Sequence, residues 1–322
     1  MTTARRTGWP LYCRVALARS IRLAARQFPH AGEDEAARIH EARKTLKGAA
    51  GLARLFVELV GPPAEAALDS ISAARRKIGR ARDLDILPGV LASLDPPPET
   101  RDALIAVIAK EREAERQAHH ELDVAGVADE LRALADKVDA WPVEASGAAT
   151  LVVALKRTYR SARRRGEAAL ASRNPRELHA FRVRVVDLAY QFAVLEPAWP
   201  AMMRATIREL QRLRTALGDH NDLSVLAAFA AGRAELTPEQ KALGALLIAK
   251  KRRPLERRAA QLYARLFAER SAAFERRFAA YLENPRRKPR ERRPARSARP
   301  VAAAPANEAS GPPHVSQTTR PL

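Results

Sequence analysis

Two histidines in this sequence each stand three residues before an arginine, and the first of them opens a segment rich in positive charge. On an α-helix with about 3.6 residues per turn, four side chains of that segment fall within roughly 60° of one another. They are His40, Arg43, Lys47 and Arg54. Leu46, Ala49 and Phe56 occupy the opposing sector, so the charged side chains should face away from the core. Aligned cations repel one another unless an extended anion lies along them, and guanidinium groups match phosphate oxygens, so the pattern predicts phosphate binding.

The two histidines, His40 and His179, allow three interpretations. A metal site is the least favourable, because Arg43 and Arg182 would repel a divalent cation and no carboxylate cluster offsets them. A buried, hydrogen-bonded histidine stays open. Contact with an anion is favoured by the same arginines and by the charge that imidazole gains below about pH 6.5. We therefore expect no metal and no other cofactor.

Basic side chains follow helical spacing elsewhere as well. One stripe precedes the second histidine, and a weaker one lies near the N-terminus. They comprise Lys156, Arg160, Arg163 and Arg164, and Arg19, Arg22 and Arg26. Some of the charges must belong to ordinary solvated helix faces. The residues expected to contact a phosphate polymer are His40, Arg43, Lys44, Lys47, Arg54, Arg75, Arg76, Arg82, Lys156, Arg160, His179, Arg182, Arg208 and Arg212.

Four aspartates near these arginines could serve as metal ligands or catalytic groups. They are Asp83, Asp85, Asp219 and Asp222. Because each lies within a turn or two of several arginines, a salt bridge that fixes an arginine side chain is the favoured interpretation. The sequence contains neither a Gly-x-x-x-x-Gly-Lys phosphate loop nor a Glu-x-Glu-x-Lys motif. We therefore predict no catalytic residues and no enzymatic activity.

The histidine segments belong to a longer internal repeat. An offset of 139 residues places identical residues at matching positions. The pairs are His40 and His179, Arg43 and Arg182, Arg75 and Arg214, Gly79 and Gly218, Asp83 and Asp222, Leu84 and Leu223, and Leu87 and Leu226. This agreement predicts two copies of one helical module of roughly 140 residues.

Both motifs of the repeat, His-x-x-Arg and a later Leu/Ile-Gly-x-x-Arg/Asn-Asp, resemble those of the CHAD family, the conserved histidine α-helical domain. The resemblance covers about residues 8–283, with repeat halves at about 8–140 and 147–283. It implies an all-α fold of two pseudo-symmetric helical bundles whose basic faces meet around a central groove. It also implies non-enzymatic binding of inorganic polyphosphate and association with polyphosphate granules.

The second half departs from the family pattern. Val186 and Ala193 stand at the positions that match Lys47 and Arg54. Arg184 is expected to point roughly 140° away from the histidine of its helix, off the cationic face. The second half should therefore bind less through this helix, so that either Lys156 and Arg160 compensate or the groove is asymmetric.

The composition supports a helical, anion-binding protein. The 322 residues include 57 Lys and Arg against 37 Asp and Glu, a net charge of +20, and 47% are hydrophobic, which excludes disorder from end to end. Inorganic polyphosphate is the favoured partner. The alternative is nonspecific nucleic-acid binding, although the basic faces lack the aromatics that stack on bases. No apolar run approaches the roughly 20 residues of a membrane span, and the single Cys13 suits a reducing compartment, so a cytoplasmic protein that binds no membrane is expected. The oligomeric state stays open.

Scarce glycine and aromatic residues, with turns marked by proline, predict a chain of helices. The predicted helices are about 9–28, 33–60, 64–94, 99–121, 127–139, 148–172, 175–195, 199–231 and 238–283. His119 and His120 are expected to face solvent. Residues 284–322 contain 8 of the 22 prolines and few large apolar residues, which predicts a disordered basic tail able to hold nucleic acid weakly.

Overall fold

The computed structural model describes residues 8–28, 35–78, 84–119, 124–144 and 147–283. All regular secondary structure in these ranges is helical, which confirms the predicted fold class. The main helices are α1 (Trp9–Gln27), α2 (Glu35–Ala53), α3 (Pro62–Lys77), α4 (Leu87–Ala92), α5 (Pro98–His119), α6 (Val124–Asp139), α7 (Ala148–Ser172), α8 (Pro175–Leu195), α9 (Pro200–Ala231), α10 (Pro238–Leu266) and α11 (Ser271–Glu283). A 3-10 turn (Arg54–Phe56) and a short helix (Val57–Val60) follow α2, and a second 3-10 turn (Glu196–Ala198) precedes α9. The predicted tail, residues 284–322, lies outside the described residues.

Proline and capping residues begin several helices where the sequence predicts a turn. Asn174 accepts a hydrogen bond from the backbone N–H of Arg176 at the start of α8, 2.9 Å away. At the start of α10, Thr237 and Gln240 form a reciprocal capping box. Gly61 precedes α3 with a φ of 61°, a backbone conformation that favours glycine. These local signals explain why the starts of α3, α8 and α10 lie close to their predicted positions.

Three predicted helices are interrupted, and two of them are divided by longer breaks. The helix predicted over 64–94 ends at Lys77, and α4 forms a separate helix further on. The helix predicted over 238–283 breaks after Leu266, where the chain turns before α11. In this turn the carbonyl of Glu269 accepts a hydrogen bond from the Tyr159 hydroxyl, 2.8 Å away. No proline or glycine occupies the turn, so tertiary contacts determine the break.

The third difference concerns the helix predicted over 33–60. Its α-helical part, α2, ends at Ala53 and continues as the 3-10 turn. Leu46, Ala49 and Phe56 are fully buried, which confirms the predicted apolar face. The interruption is therefore local and leaves the packing face of the segment intact.

The main hydrophobic core draws its buried residues from both halves of the chain and forms one continuous cluster. In the first half α1 packs against α2 and α6, and in the second half α7 packs against α8 and α11. Contact between α2 and α8 joins the two sets. The indole N–H of Trp9 also donates to the carbonyl of Leu282, 3.1 Å away, which ties α1 to α11. Cys13 is buried in this core, and burial raises the pKa of its thiol to about 12.

A second, smaller core lies among α4, α5, α9 and α10. It contains Leu87 and Leu226, two leucines that the sequence repeat pairs, together with Leu223 and the partly buried Leu84. The ends of the two glycine motifs therefore meet in one apolar cluster. No helix in the described part of the chain is both long and apolar enough to cross a membrane.

Candidate functional site

The two helices that carry the His-x-x-Arg segments, α2 and α8, approach each other closely at two glycines. A Cβ on Gly51 would lie 3.1 Å from the Cα of Asp187, and a Cβ on Gly48 would lie 2.8 Å from the ring of Tyr190. The side-chain amide of Gln191 also donates to the carbonyl of Gly51, 2.8 Å away. Glycine is therefore needed where the two halves of the chain meet.

A cleft of about 600 Å³ is lined by residues from both halves of the chain. Its lining contains five arginines and one glutamate, together with small and apolar residues. The charged lining residues are Arg54 after α2, Glu65 on α3, Arg157, Arg160 and Arg164 on α7, and Arg184 on α8. The lining is therefore strongly cationic.

A buried carboxylate stands behind one wall of this cleft. Asp187 is 2% exposed. The guanidinium of Arg54 donates from Nη1 to its Oδ1 at 3.1 Å and to the carbonyl of Ala50 at 3.0 Å. Arg184 forms an ion pair from Nη1 to Oδ2, also at 3.1 Å. Burial raises the pKa of Asp187, and the guanidinium groups of Arg54, Arg184 and Arg75 oppose that rise.

Arg75 on α3 belongs to the same charged cluster. Burial lowers its pKa, and the nearby carboxylate of Asp187 opposes the change. Burial likewise lowers the pKa of Arg184, with Asp187 acting against it. The 3-10 turn after α2, together with α3 and α8, therefore supplies three arginines that are electrostatically coupled to one carboxylate.

One face of α7 contributes a further part of the cleft lining. Arg157 forms an ion pair with Glu58. Arg160 and Arg164 are exposed, and neither forms an ion pair with another residue in the described ranges. Their guanidinium groups are thus available to a ligand in the cleft.

The first-half motif residues take several positions. Arg43 is partly buried and donates from Nη1 to the carbonyl of Ile78, 2.8 Å away, at the end of α3. This contact corrects the expectation that its side chain faces away from the fold. His40 is exposed, Lys47 is partly buried, and Lys44 pairs with Glu41 at 3.3 Å.

The second-half motif residues on α8 direct their side chains towards α9. His179 is exposed, and its Nδ1 lies 2.7 Å from Oδ1 of Asn221. Because His40 is exposed too, the interpretation of buried histidines is wrong. The guanidinium of Arg182 lies over Gly218, where a Cβ would come within 3.4 Å of its Nη2. The motif glycine thus leaves room for the motif arginine.

The remaining predicted residues are dispersed. Lys156 pairs with Glu275 of α11 at 2.6 Å, and Arg212 pairs with Glu209 at 2.6 Å. Arg76 and Arg208 are exposed. Arg82, Asp83 and His120 lie outside the described residues, as does the side chain of His119.

The predicted salt bridges of the motif aspartates are found in part. Asp85 pairs with Arg112 at 2.9 Å. Asp219 and Asp222 form no ion pair with any residue for which the structure gives a position. No three His, Cys, Asp or Glu side chains in the described ranges are grouped so that they could hold a metal ion.

Of the predicted binding residues that the structure describes, only Arg54 and Arg160 line the cleft. Sequence reasoning missed Arg157, Arg184 and the buried Asp187 as parts of one site. A signal for the α7 wall was present, because Arg157 and Arg164 stand three residues before and four residues after Arg160. No comparable signal places Arg184 beside Arg54.

The fold and the cleft place the chain among helical proteins whose cleft is lined by cationic side chains. Within that class, the family model of the CHAD domain matches residues 15–231. Because this match covers more than half of the 322 residues, the chain belongs to the CHAD domain family. The chain matches no curated protein sequence.

Proposed function

We propose that the chain binds inorganic polyphosphate without hydrolysing it and that the arginine-lined cleft is the binding site. The observation that carries the proposal is the convergence of five arginines, from both halves, on a cleft with a single glutamate. Guanidinium groups donate paired hydrogen bonds that match phosphate oxygens. A linear polyanion can contact several of them at once and releases its counterions on binding.

The arrangement of the two halves supports a shared site. Under the 139-residue offset Gly48 matches Asp187 and Gly51 matches Tyr190. The close contacts are reciprocal, since Gly48 faces Tyr190 and Gly51 faces Asp187. Reciprocal contacts of this kind are typical of elements related by a two-fold axis. The proposal therefore includes two pseudo-symmetric halves, at about 8–140 and 147–283, which form one basic groove.

The carboxylates near the cleft favour binding over catalysis. Asp187 stands behind the cleft wall and is engaged by Arg54 and Arg184, and Glu65 is the one carboxylate among the residues that line the cleft in the described part of the chain. Phosphoryl-transfer chemistry commonly relies on Mg²⁺ held by carboxylates. Association with polyphosphate granules, which the family resemblance implies, and the cytoplasmic location expected from the sequence are also part of the proposal.

The test is a titration of fluorescent polyphosphate with the full chain at two salt concentrations. We expect affinity to fall steeply as salt rises, because each phosphate contact releases counterions. Duplex DNA is then added as competitor at equal phosphate concentration. Polyphosphate that stays bound supports the proposal, whereas displacement by DNA would favour nonspecific nucleic-acid binding instead. The same titration with a chain that ends at Glu283 separates the contribution of residues 284–322.

A further inference from the structure

The buried carboxylate of Asp187 is unusual for a site that should attract anions. A negative charge close to the cleft weakens the positive potential that a polyanion meets, so electrostatics alone would disfavour it. Burying a carboxylate is also costly unless it is paired. Asp187 is nevertheless 2% exposed and stands against the two arginines that the cleft takes from α8 and the end of α2.

The contacts of Asp187 explain its presence. Its two carboxylate oxygens face different halves of the chain, since Oδ1 accepts from Arg54 and Oδ2 pairs with Arg184. Both arginine side chains are only about a quarter exposed, at 24% and 23%. Each guanidinium has five N–H groups and spends few of them on Asp187. Arg54 also donates to the carbonyl of Ala50, and the other N–H groups of both side chains can donate to a ligand in the cleft that both residues line.

This arrangement occurs on one side of the repeat only. Under the 139-residue offset, Gly48 matches Asp187, Ala193 matches Arg54 and Thr45 matches Arg184. The symmetric position therefore contains neither the carboxylate nor the two arginines. The cluster is consequently a feature of this one cleft and not a requirement of the repeated module.

We propose that Asp187 is a positioning residue for polyphosphate, which holds Arg54 and Arg184 side by side so that both donate to one phosphate chain. The inference rests on the proposed function of the cleft. In this role the carboxylate favours anion binding. It fixes two long side chains before the ligand arrives, so binding does not have to pay the conformational entropy of ordering them.

The direction in which one substitution changes polyphosphate affinity tests the proposal. Asp187→Asn preserves shape and removes one negative charge, so simple electrostatics would raise polyphosphate affinity. If Asp187 positions the two arginines, the same substitution should lower polyphosphate affinity, and we expect a fall of about tenfold. Glu65→Gln is the matched control, because it removes a negative charge from the same cleft without releasing an arginine. That variant should bind about two to five times more tightly.

The same substitution in a variant that lacks both arginines distinguishes the positioning role of Asp187 from a role in stability alone. In a chain that carries Arg54→Gln and Arg184→Gln, Asp187 has lost the two cleft arginines that it holds. Adding Asp187→Asn there should leave affinity equal or slightly higher. If Asp187→Asn alone fails to fold, which circular dichroism would detect, Asp187→Glu replaces it. That variant keeps the negative charge but moves the carboxylate, so positioning predicts weaker binding, and unchanged affinity would overturn it.

The salt dependence gives an independent readout. If Arg54 and Arg184 leave the phosphate chain, the slope of log affinity against log salt should become shallower by about one to two, although the protein gains positive charge. An Asp187→Asn variant that binds more tightly, as Glu65→Gln does, would overturn positioning while the cleft stands. Weaker binding of equal size in both backgrounds would overturn it too. Unchanged affinity in all of these variants, with the full chain still binding, would reject both the cleft and the inference.

Discussion

The first helices of the two halves, α1 and α7, carry arginines at matching positions and use them differently. An offset of 138 residues, one less than that of the motifs, pairs three of them. The pairs are Arg19 and Arg157, Arg22 and Arg160, and Arg26 and Arg164. In α1, Arg22 donates to two carboxylates of α6, those of Asp136 at 2.7 Å and Asp139 at 2.6 Å. In α7, Arg160 and Arg164 line the cleft.

The difference arises from the helix that packs alongside. Helix α6 presents two aspartates to α1, whereas the carboxylate of Glu275 on α11 pairs with Lys156 of α7 and leaves Arg160 exposed. The matched positions Arg22 and Arg160 thus hold a side chain paired with two carboxylates in α1 and an exposed cation at the cleft in α7. Polyphosphate binding should accordingly depend on α7 far more than on α1.

The largest expected effect is a charge reversal on α7. Arg160→Glu with Arg164→Glu replaces two phosphate contacts with repulsion, and we expect polyphosphate affinity to fall by at least about 100-fold at low salt. Fluorescence titration measures the change. The matched control is Arg19→Glu with Arg26→Glu, which alters net charge equally on α1 and should cost less than about fivefold. Equal losses in the two variants would mean that total charge, and not the cleft, determines binding.

The next effect concerns the contact that joins the halves. Gly51→Ala would place a methyl group 3.1 Å from the backbone of Asp187, so α2 and α8 must separate. We expect the free energy of unfolding to fall by about 1–3 kcal/mol, measured by urea denaturation. Gly244→Ala is the control, because nothing lies within 4 Å of that position on α10, and alanine should stabilise the helix by about 0.5–1 kcal/mol. Two changes of the same sign would contradict this packing argument.

Much of the fold could be predicted from the sequence because its signals are local. Proline and capping residues at Pro62, Pro175 and Pro238 define helix starts regardless of what packs nearby. The break after Leu266 carried no such signal, since it depends on contacts such as the one between Tyr159 and the carbonyl of Glu269. Tertiary contacts override helix propensity there.

The site was predictable only in part, for a similar reason. Arg54 and Arg160 followed from helical spacing, and both line the cleft. Arg184 lines the cleft whereas His179 and Arg182 of the same helix do not, so the cleft adjoins a face of α8 other than the motif face. There Arg184 shares the carboxylate of Asp187 with Arg54 from the other half of the chain. Which face of a helix stays uncovered is decided by its neighbours and cannot be obtained from spacing within that helix.

A smaller effect is expected for Arg43 of the first half, whose side chain contacts the end of α3. Helix α3 ends at Lys77, so the carbonyl of Ile78 lies beyond the helix and accepts from Arg43. Arg43→Ala should therefore lower the free energy of unfolding by about 1–2 kcal/mol, as urea denaturation would show. Arg76→Ala removes an exposed charge from the same helix end and should stay within about 0.5 kcal/mol of the parent. If both variants match the parent, Arg43 does not stabilise the end of α3.

The smallest effect is confined to the second half, where His220 occupies a motif position that Ala81 takes in the first. His220 is buried, its Nε2 lies 3.3 Å from Glu256, and Arg252 is nearby. Burial lowers its pKa below the ordinary 6.5, Arg252 adds to the shift, and Glu256 opposes it. The unfolded chain then binds more protons, so stability present above pH 6.5 is lost as the pH falls through the lowered pKa. His220→Gln should flatten this decline in urea denaturation at pH 8 and pH 5, and parallel curves would assign the pH dependence to other groups.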